Sequence, residues 1–225
     1  MKNIRGKAVF IALIIIALSL MPSFTNGVTE KEQMQRVTCY VIENGKQIKN
    51  ENDISVREAE KILEKVGEVA DLFKSMKGNE KADFTEEAES MLNDLFTALH
   101  NAGIIPEGIT PSSIGLLPDA GIAFLHPIIS FGAGCSYIPL YPGEAFLGVM
   151  LRPIFLQYFF MGYTGCFNVK LAPPRIEYWD WVGTQTVMIF GFVGLYIDFG
   201  SIGIGIPPAQ VLLGESLFTA GIDWF

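Results

Sequence analysis

The sequence predicts an α+β fold, in which an N-terminal amphipathic helical hairpin is followed by a mainly antiparallel β domain rich in glycine and aromatic residues. Residues 28–110 hold 17 acidic and 10 basic residues among 83, whereas residues 111–225 hold only 7 and 3 among 115. The second part also carries 21 aromatic residues and 16 of the 23 glycines. Such an apolar part needs to form a large core, bind a partner or contact lipid.

The first 27 residues have the pattern of a secretory signal peptide. Three basic residues precede the uncharged run Ala8–Leu20, and the small residues Thr25-Asn26-Gly27 predict cleavage after Gly27. The run of 13 residues is short for a membrane-spanning helix, which needs about 20; an uncleaved anchor is the alternative. We therefore expect an exported protein, extracellular or in the cell envelope and in contact with a membrane.

The charge balance restricts the classes of partner. Loss of the leader's three cations leaves 13 of the 16 basic residues against 24 acidic ones, a formal net charge of −11. Such a chain repels phosphate backbones, so nucleic acid is not an expected partner. A membrane or another cell-envelope component is the expected partner, and the sequence leaves the oligomeric state open.

Residues 28–103 form the charged region that contains the predicted helical hairpin, and a short β-hairpin precedes the helices. Residues 37–42 are rich in strand formers, and Asn44-Gly45 is the preferred pair for a type I′ turn. Ser55 and Glu58 then form a capping box, after which apolar residues recur three and four positions apart. These features predict two short strands and a first long helix.

A second helix is expected to begin near Asp83 or Thr85 and to end before Gly103. Acidic residues fill its first turns, where the helix dipole favours them. Only a short link separates it from the first helix, so the two are expected to be antiparallel neighbours. Residues 104–118 contain three prolines and two glycines and are interpreted as a linker.

Residues 119–225 are expected to form the apolar β-rich domain. Short runs rich in Val, Ile, Phe and Tyr alternate with Gly and Pro, which favours strands. Strands that are apolar on both faces are typically buried on two sides or face lipid on one. The alternative is a helical membrane domain, although its uncharged windows are short or broken by proline. These windows are Ala120–Gly143, Pro153–Val169, Trp181–Ile197 and Phe199–Gly214.

Three cysteines remain after the predicted cleavage: Cys39, Cys135 and Cys166. Export favours an oxidising compartment, so Cys135 and Cys166 are a candidate disulfide. Cys39 is then the third cysteine, and it could instead pair with either of the other two. The alternative is that both are small buried apolar residues. Their spacing offers no C-x-x-C pair, so a zinc site is not predicted.

The segment Glu177-Tyr178-Trp179-Asp180-Trp181 places two carboxylates and three aromatic rings within five residues. Glycosidases use carboxylates for acid–base chemistry, and aromatic rings stack on sugars, so Glu177 and Asp180 are weak catalytic candidates. In an extended segment the two carboxylates would point to opposite sides. Tyr178, Trp179 and Trp181 are therefore better interpreted as anchors at a core, an interface or a membrane surface.

No residue pattern predicts a metal or cofactor. A metal site would need both histidines, His100 and His126, with a carboxylate such as Asp119, and their spacing does not support one. The spaced glycines near residues 190–205 lack the Lys-Ser/Thr of a phosphate-binding loop. Arg152 and Asp198 are isolated charges in apolar segments, which suits a buried ion pair or strand ends.

These observations predict an exported protein of the cell envelope with a non-catalytic structural or binding role. One alternative is a carrier that holds an apolar small molecule in the C-terminal β domain. A second alternative is an exported hydrolase that acts on glycans through Glu177 and Asp180.

Overall fold

A computed structural model describes the chain from Gln33 onward, with gaps. The predicted signal peptide, residues 1–27, lies outside the described residues, as do the turn pair Asn44-Gly45 and Arg152. The described ranges are 33–43, 46–75, 86–116, 126–137, 154–171, 174–201 and 207–224.

Eight strands and two helices follow one another along these ranges. They are β1 (Met34–Glu43), β2 (Lys46–Ser55), α1 (Val56–Ser75), α2 (Glu86–Asn101), β3 (His126–Tyr137), β4 (Ile154–Leu171), β5 (Pro174–Phe190), β6 (Val193–Asp198), β7 (Ala209–Ser216) and β8 (Phe218–Asp223). The strands form one sheet in the order β2-β1-β6-β7-β3-β4-β5-β8. Every neighbouring pair is antiparallel.

The predicted fold class is wrong. The described chain does not place a helical hairpin before a β domain, because β1 and β2 come first and belong to the same sheet as the C-terminal strands. Residues 38–42 of β1 pair with residues 194–198 of β6, which gives the charged part of the chain a place within the sheet. Sequence periodicity identifies single elements and carries no information on such a distant pairing.

The alternative of a helical membrane domain is also wrong for the described residues, because their apolar runs form β3 to β8. Neither α1 nor α2, the helices of the described part, is long and apolar enough to cross a membrane.

One side of the sheet, which we call the helix-facing side, is covered by α1 and α2 over β1, β6, β7 and part of β3. Alternate residues of each strand point to this side, as the two-residue period of a strand requires. They form one core with the apolar stripes of the helices, which include Phe73 and Leu95. The strand contribution is Val37, Cys39, Val41, Ile129, Leu195, Ile197, Val211 and Leu213.

The other side, which we call the concave side, folds back on itself. The rings of Phe155 in β4 and Tyr196 in β6 are 5.6 Å apart, although two strands separate β4 from β6. Strands lie about 4.8 Å apart, so a flat sheet would keep these residues at least roughly 14 Å apart. The sheet is therefore strongly curved, and the second core, which includes Ile128, Val187 and Ile189, fills the concavity.

Glycines make close packing possible on the concave side. The Phe159 ring lies against Gly132 and Gly162, where an added Cβ would come within 2.9 Å and 2.5 Å of ring atoms. The register between β3 and β4 shifts near this point, and so does that between β4 and β5. The many glycines of residues 111–225 thus serve partly to admit large rings.

Candidate functional site

A patch of exposed apolar side chains lies on the helix-facing side of β4, β5 and β8, beyond the reach of the helices. Seven large apolar residues there are between 41% and 59% exposed. We call this patch the apolar face; it consists of Leu156, Tyr158, Phe160, Met188, Phe218, Ile222 and Trp224.

The strand register makes the apolar face continuous. Leu156 pairs with Met188, which pairs with Ala220, and the next row on this side is Tyr158, Thr186 and Ile222. The row on the other flank is Ile154, Phe190 and Phe218, in which the last two rings are 5.8 Å apart. Tyr158 and Thr186 supply the hydroxyl groups of these described positions, and Trp224 Nε1 donates to Thr186 Oγ1. None of these positions carries a charged side chain.

The end of helix α1 marks where the apolar face begins. Lys74 Nζ lies 5.7 Å from the centre of the Tyr163 ring, and the Tyr163 and Tyr178 hydroxyls share a hydrogen bond. Burial raises the pKa of Tyr178 far above its usual range. Between Phe159 and Gly162 the β4–β5 register shifts, and the exposed ring of Phe160 lies at this irregularity.

The opposite edge of the sheet is charged. Arg36 Nε donates to Asp53 Oδ1 at 3.0 Å, and Lys49 Nζ lies 2.7 Å from Glu51 Oε1; all four side chains are largely exposed. The hydrogen bond from Arg36 lowers the pKa of Asp53. β2 and β8 are the two ends of the strand order, so the described sheet runs from an edge with two ion pairs to an edge whose helix-facing side is apolar.

The predicted aromatic cluster lies within the continuous strand β5. Tyr178 packs on the helix-facing core, Trp181 packs partly against the concave core, and Trp179 is 51% exposed. Asp180 is half-buried in this strand, and the side chain of Glu177 lies outside the described part. The catalytic role of these two carboxylates therefore stays a prediction.

The predicted partners Cys135 and Cys166 are not joined by a disulfide. Cys166 pairs in register with Ile128 and Cys135 with Tyr158, so seven residues of β3, or about 23 Å, separate them. A disulfide needs Cα atoms within about 7 Å, so this sheet does not bring the pair together. Cys135 is exposed beside the apolar face, whereas burial raises the pKa of the Cys39 thiol to about 12.

The histidines and the isolated Asp198 have local roles. His100 Nε2 hydrogen-bonds the Ile109 carbonyl at 2.8 Å, which ties α2 to the following loop. Asp198 Oδ1 accepts from the Gly200 amide at 2.8 Å. Burial lowers the pKa of His126. Asp119 lies outside the described residues, within which no group of three potential metal-ligating side chains occurs.

A cluster of buried polar side chains on the concave side was not anticipated from the sequence. Gln157 Nε2 donates to Ser136 Oγ at 3.3 Å, and Ser136 Oγ donates to Gln210 Oε1 at 2.7 Å. Gln157 and Gln185 are both 0% exposed. Gln157 Oε1 and both amide atoms of Gln185 have no hydrogen-bond partner in the described part of the chain. The sequence does not show which face of each strand is buried. A glutamine in a strand is ordinarily expected to face water, so these two were not expected in a core.

A pocket of about 150 Å³ opens between the end of β1, the start of β6 and the loop around Ile109. Its described lining is mostly aliphatic, with Glu43 and Ser113 as the polar side chains. A single carboxylate beside a hydroxyl does not form the acid–base pair that a glycosidase requires.

Comparisons with known proteins found no matching family model, curated protein or solved structure.

Proposed function

We propose that this protein is an exported, non-catalytic binding protein of the cell envelope, and that the apolar face is the surface through which it contacts lipid. The observation that carries the proposal is the set of seven exposed apolar side chains on three adjacent strands, among described positions that include no charge. Water-soluble surfaces rarely gather so many large apolar groups in one place, and such patches mark binding or membrane surfaces.

Three features favour lipid as the occupant. A protein partner would be expected to meet a polar rim around an apolar centre, whereas the described apolar face reaches the edge strand β8 itself. Tyr158 and Trp224 are the side-chain types that favour the boundary between headgroups and acyl chains. The charged pairs lie at β2, the far end of the strand order, which would keep them in water.

The proposal agrees with the prediction of an export signal at residues 1–27, which would deliver the chain to a membrane. The alternative of a carrier receives less support, because the concave side is filled by its own rings, among them Phe155, Phe159 and Phe192.

Two isoleucines with nearly equal exposure provide a matched test. Ile222 is 57% exposed on the apolar face, and Ile48 is 59% exposed on the charged strand β2. The full chain would carry an environment-sensitive fluorophore on Cys135, which is accessible while Cys39 and Cys166 are buried. Phosphatidylcholine vesicles should shift its emission to the blue in the otherwise unchanged chain and in Ile48→Glu. Ile222→Glu should weaken the response at least about tenfold, because a carboxylate is costly within acyl chains.

The emission shift of the fluorophore distinguishes membrane contact through the apolar face from membrane anchoring through another segment. Flotation with vesicles without an emission shift would assign the anchor to another segment and contradict the proposal. Equal losses in Ile48→Glu and Ile222→Glu would do the same, since a general effect of added negative charge would explain them. In the chain without the fluorophore, disulfide dimers through Cys135 that form in preference to vesicle binding would identify a second copy as the occupant.

A further inference from the structure

The buried glutamines on the concave side identify a second site, which is independent of the apolar face. Gln157 in β4 and Gln185 in β5 are diagonal neighbours, because Gln157 pairs with Val187 and Phe159 with Gln185. Diagonal side chains on one face of an antiparallel pair lie within reach of each other when they are long. Three polar atoms of these two amides lack a partner in the described residues, namely Gln157 Oε1, Gln185 Oε1 and Gln185 Nε2.

The side chains that hydrogen-bond with Gln157 and with its partner Ser136 are neutral and hold Gln157 in place. The Ser136 hydroxyl accepts from Gln157 and donates to Gln210, and it also hydrogen-bonds the Tyr196 hydroxyl. Burial, reinforced by Asp198, raises the pKa of Tyr196 far above the ordinary range of a phenol, which keeps this hydroxyl protonated. The direct partners of Gln157 are amides and hydroxyls, and the charged residues nearest to the site, Asp198 and Asp223, are both acidic, so a neutral ligand fits the site better than an anion.

Leaving these amides without partners is costly. A buried polar group without a hydrogen bond loses its hydration and gains nothing in return, and native proteins rarely leave such groups unsatisfied. The free atoms comprise two acceptors and one NH₂ donor. A hydroxyl group can donate to Gln157 Oε1 while it accepts from Gln185 Nε2, so one O–H pairs two of the three free atoms and leaves Gln185 Oε1 for a second donor.

We propose that Gln157 and Gln185 form an internal binding site for the hydroxyl group of a water molecule. Gln185 pairs in register with Asp223 of β8, so the site lies one strand from the sheet edge.

The sign of a stability change tests the site. Gln185→Met keeps the side-chain length and removes the amide. If the amide binds a hydroxyl, the full-length variant should unfold at lower urea, with an unfolding equilibrium constant about tenfold larger. If the amide is simply unpaired, the variant should unfold at higher urea, which overturns the proposal. Thr164→Val, which breaks the fully paired Ser130–Thr164 bond of 2.8 Å, should be destabilised in either case and calibrates the measurement.

Nuclear magnetic resonance of the unaltered full chain tests the bound water directly and needs no variant to fold. A cross-relaxation peak between water and the Gln185 side-chain NH₂ supports a bound water. The absence of this peak contradicts the water site, and so does a shift of the NH₂ resonance with 1-octanol, which would show that a larger molecule enters the concave side.

Discussion

The helix-facing side of the sheet contains two regions of similar apolar composition and opposite exposure. Over β1, β6 and β7 the helices bury the strand residues, and Phe73 of α1 is 0% exposed. Over β4, β5 and β8 the same kinds of side chain remain uncovered, and Phe160 is 59% exposed. Apolar composition alone therefore does not decide which part of this chain becomes core.

Charge distinguishes the two regions. The covered region is closed by α1 and α2, whose outward positions carry many Glu, Asp, Lys and Arg residues. The described positions of the apolar face carry none. The first region therefore ends at a surface suited to water, whereas the second ends at a surface suited to an apolar environment, which is the basis of the proposed lipid contact.

The largest expected effect comes from truncating the same residue type in both regions. Phe73→Ala should lower the free energy of unfolding by about 3–5 kcal/mol, because it opens a cavity in the core. Phe160→Ala should change it by less than about 1 kcal/mol, since its ring is largely exposed. Urea unfolding of the full chain without lipid measures both. A similar loss for the two variants would show that something in the chain covers Phe160 and would remove the contrast.

A glycine beneath the apolar face tests whether that part of the sheet is as tightly packed as the covered part. Gly162→Ala should cost about 1–3 kcal/mol, because the added methyl group meets the Phe159 ring. Gly67→Ala in α1 is the control: its methyl group meets nothing within 4 Å, and alanine should stabilise the helix by up to about 1 kcal/mol. If Gly162→Ala also proved stabilising, the concave side under the apolar face would be loosely packed.

Local elements could be predicted from the sequence because their signals are local. The N-cap bond of the predicted capping box is present, with Ser55 Oγ accepting from the Glu58 amide at 3.2 Å. The β1–β2 hairpin is also present and longer than its polar return arm indicated. Asn52 Nδ2 donates to the Ala102 carbonyl at 2.6 Å, a contact with the end of α2 that no local pattern reveals.

The sheet order and both sites could not be predicted, because they depend on partners far apart in the chain. The pairing of Cys39 with Ile197 places β1 beside β6, and this pairing decides which side chains of the two strands face the helices. Once the faces are assigned, Gln157 and Gln185 prove to be buried while Leu156 and Met188 are exposed. This pattern is the reverse of the usual expectation for polar and apolar residues in a strand.

Loss of the helix cap should weaken the covered region by a smaller amount. Ser55→Ala should lower the free energy of unfolding by about 1 kcal/mol, because the Glu58 amide loses its acceptor. Ser75→Ala at the other end of α1 is the comparison; the exposed Ser75 hydroxyl donates to the Leu72 carbonyl, and its removal should have less effect. Equal effects would show that the cap contributes nothing specific to anchoring α1 beside the sheet.

The smallest expected effect is a pH dependence at the strand that joins the two regions. His126 begins β3, and burial lowers the pKa of its imidazole below 6.5. The unfolded chain therefore takes up the proton first, so this contribution to stability is complete above pH 6.5 and decreases as the pH falls toward the folded pKa. Urea midpoints at about pH 7.5 and about pH 5.5 should differ more for the unaltered chain than for His126→Asn, since the carboxylates titrate in both. Identical differences would show that the imidazole is as hydrated in the folded chain as in the unfolded one, and that β3 is open to water where it starts.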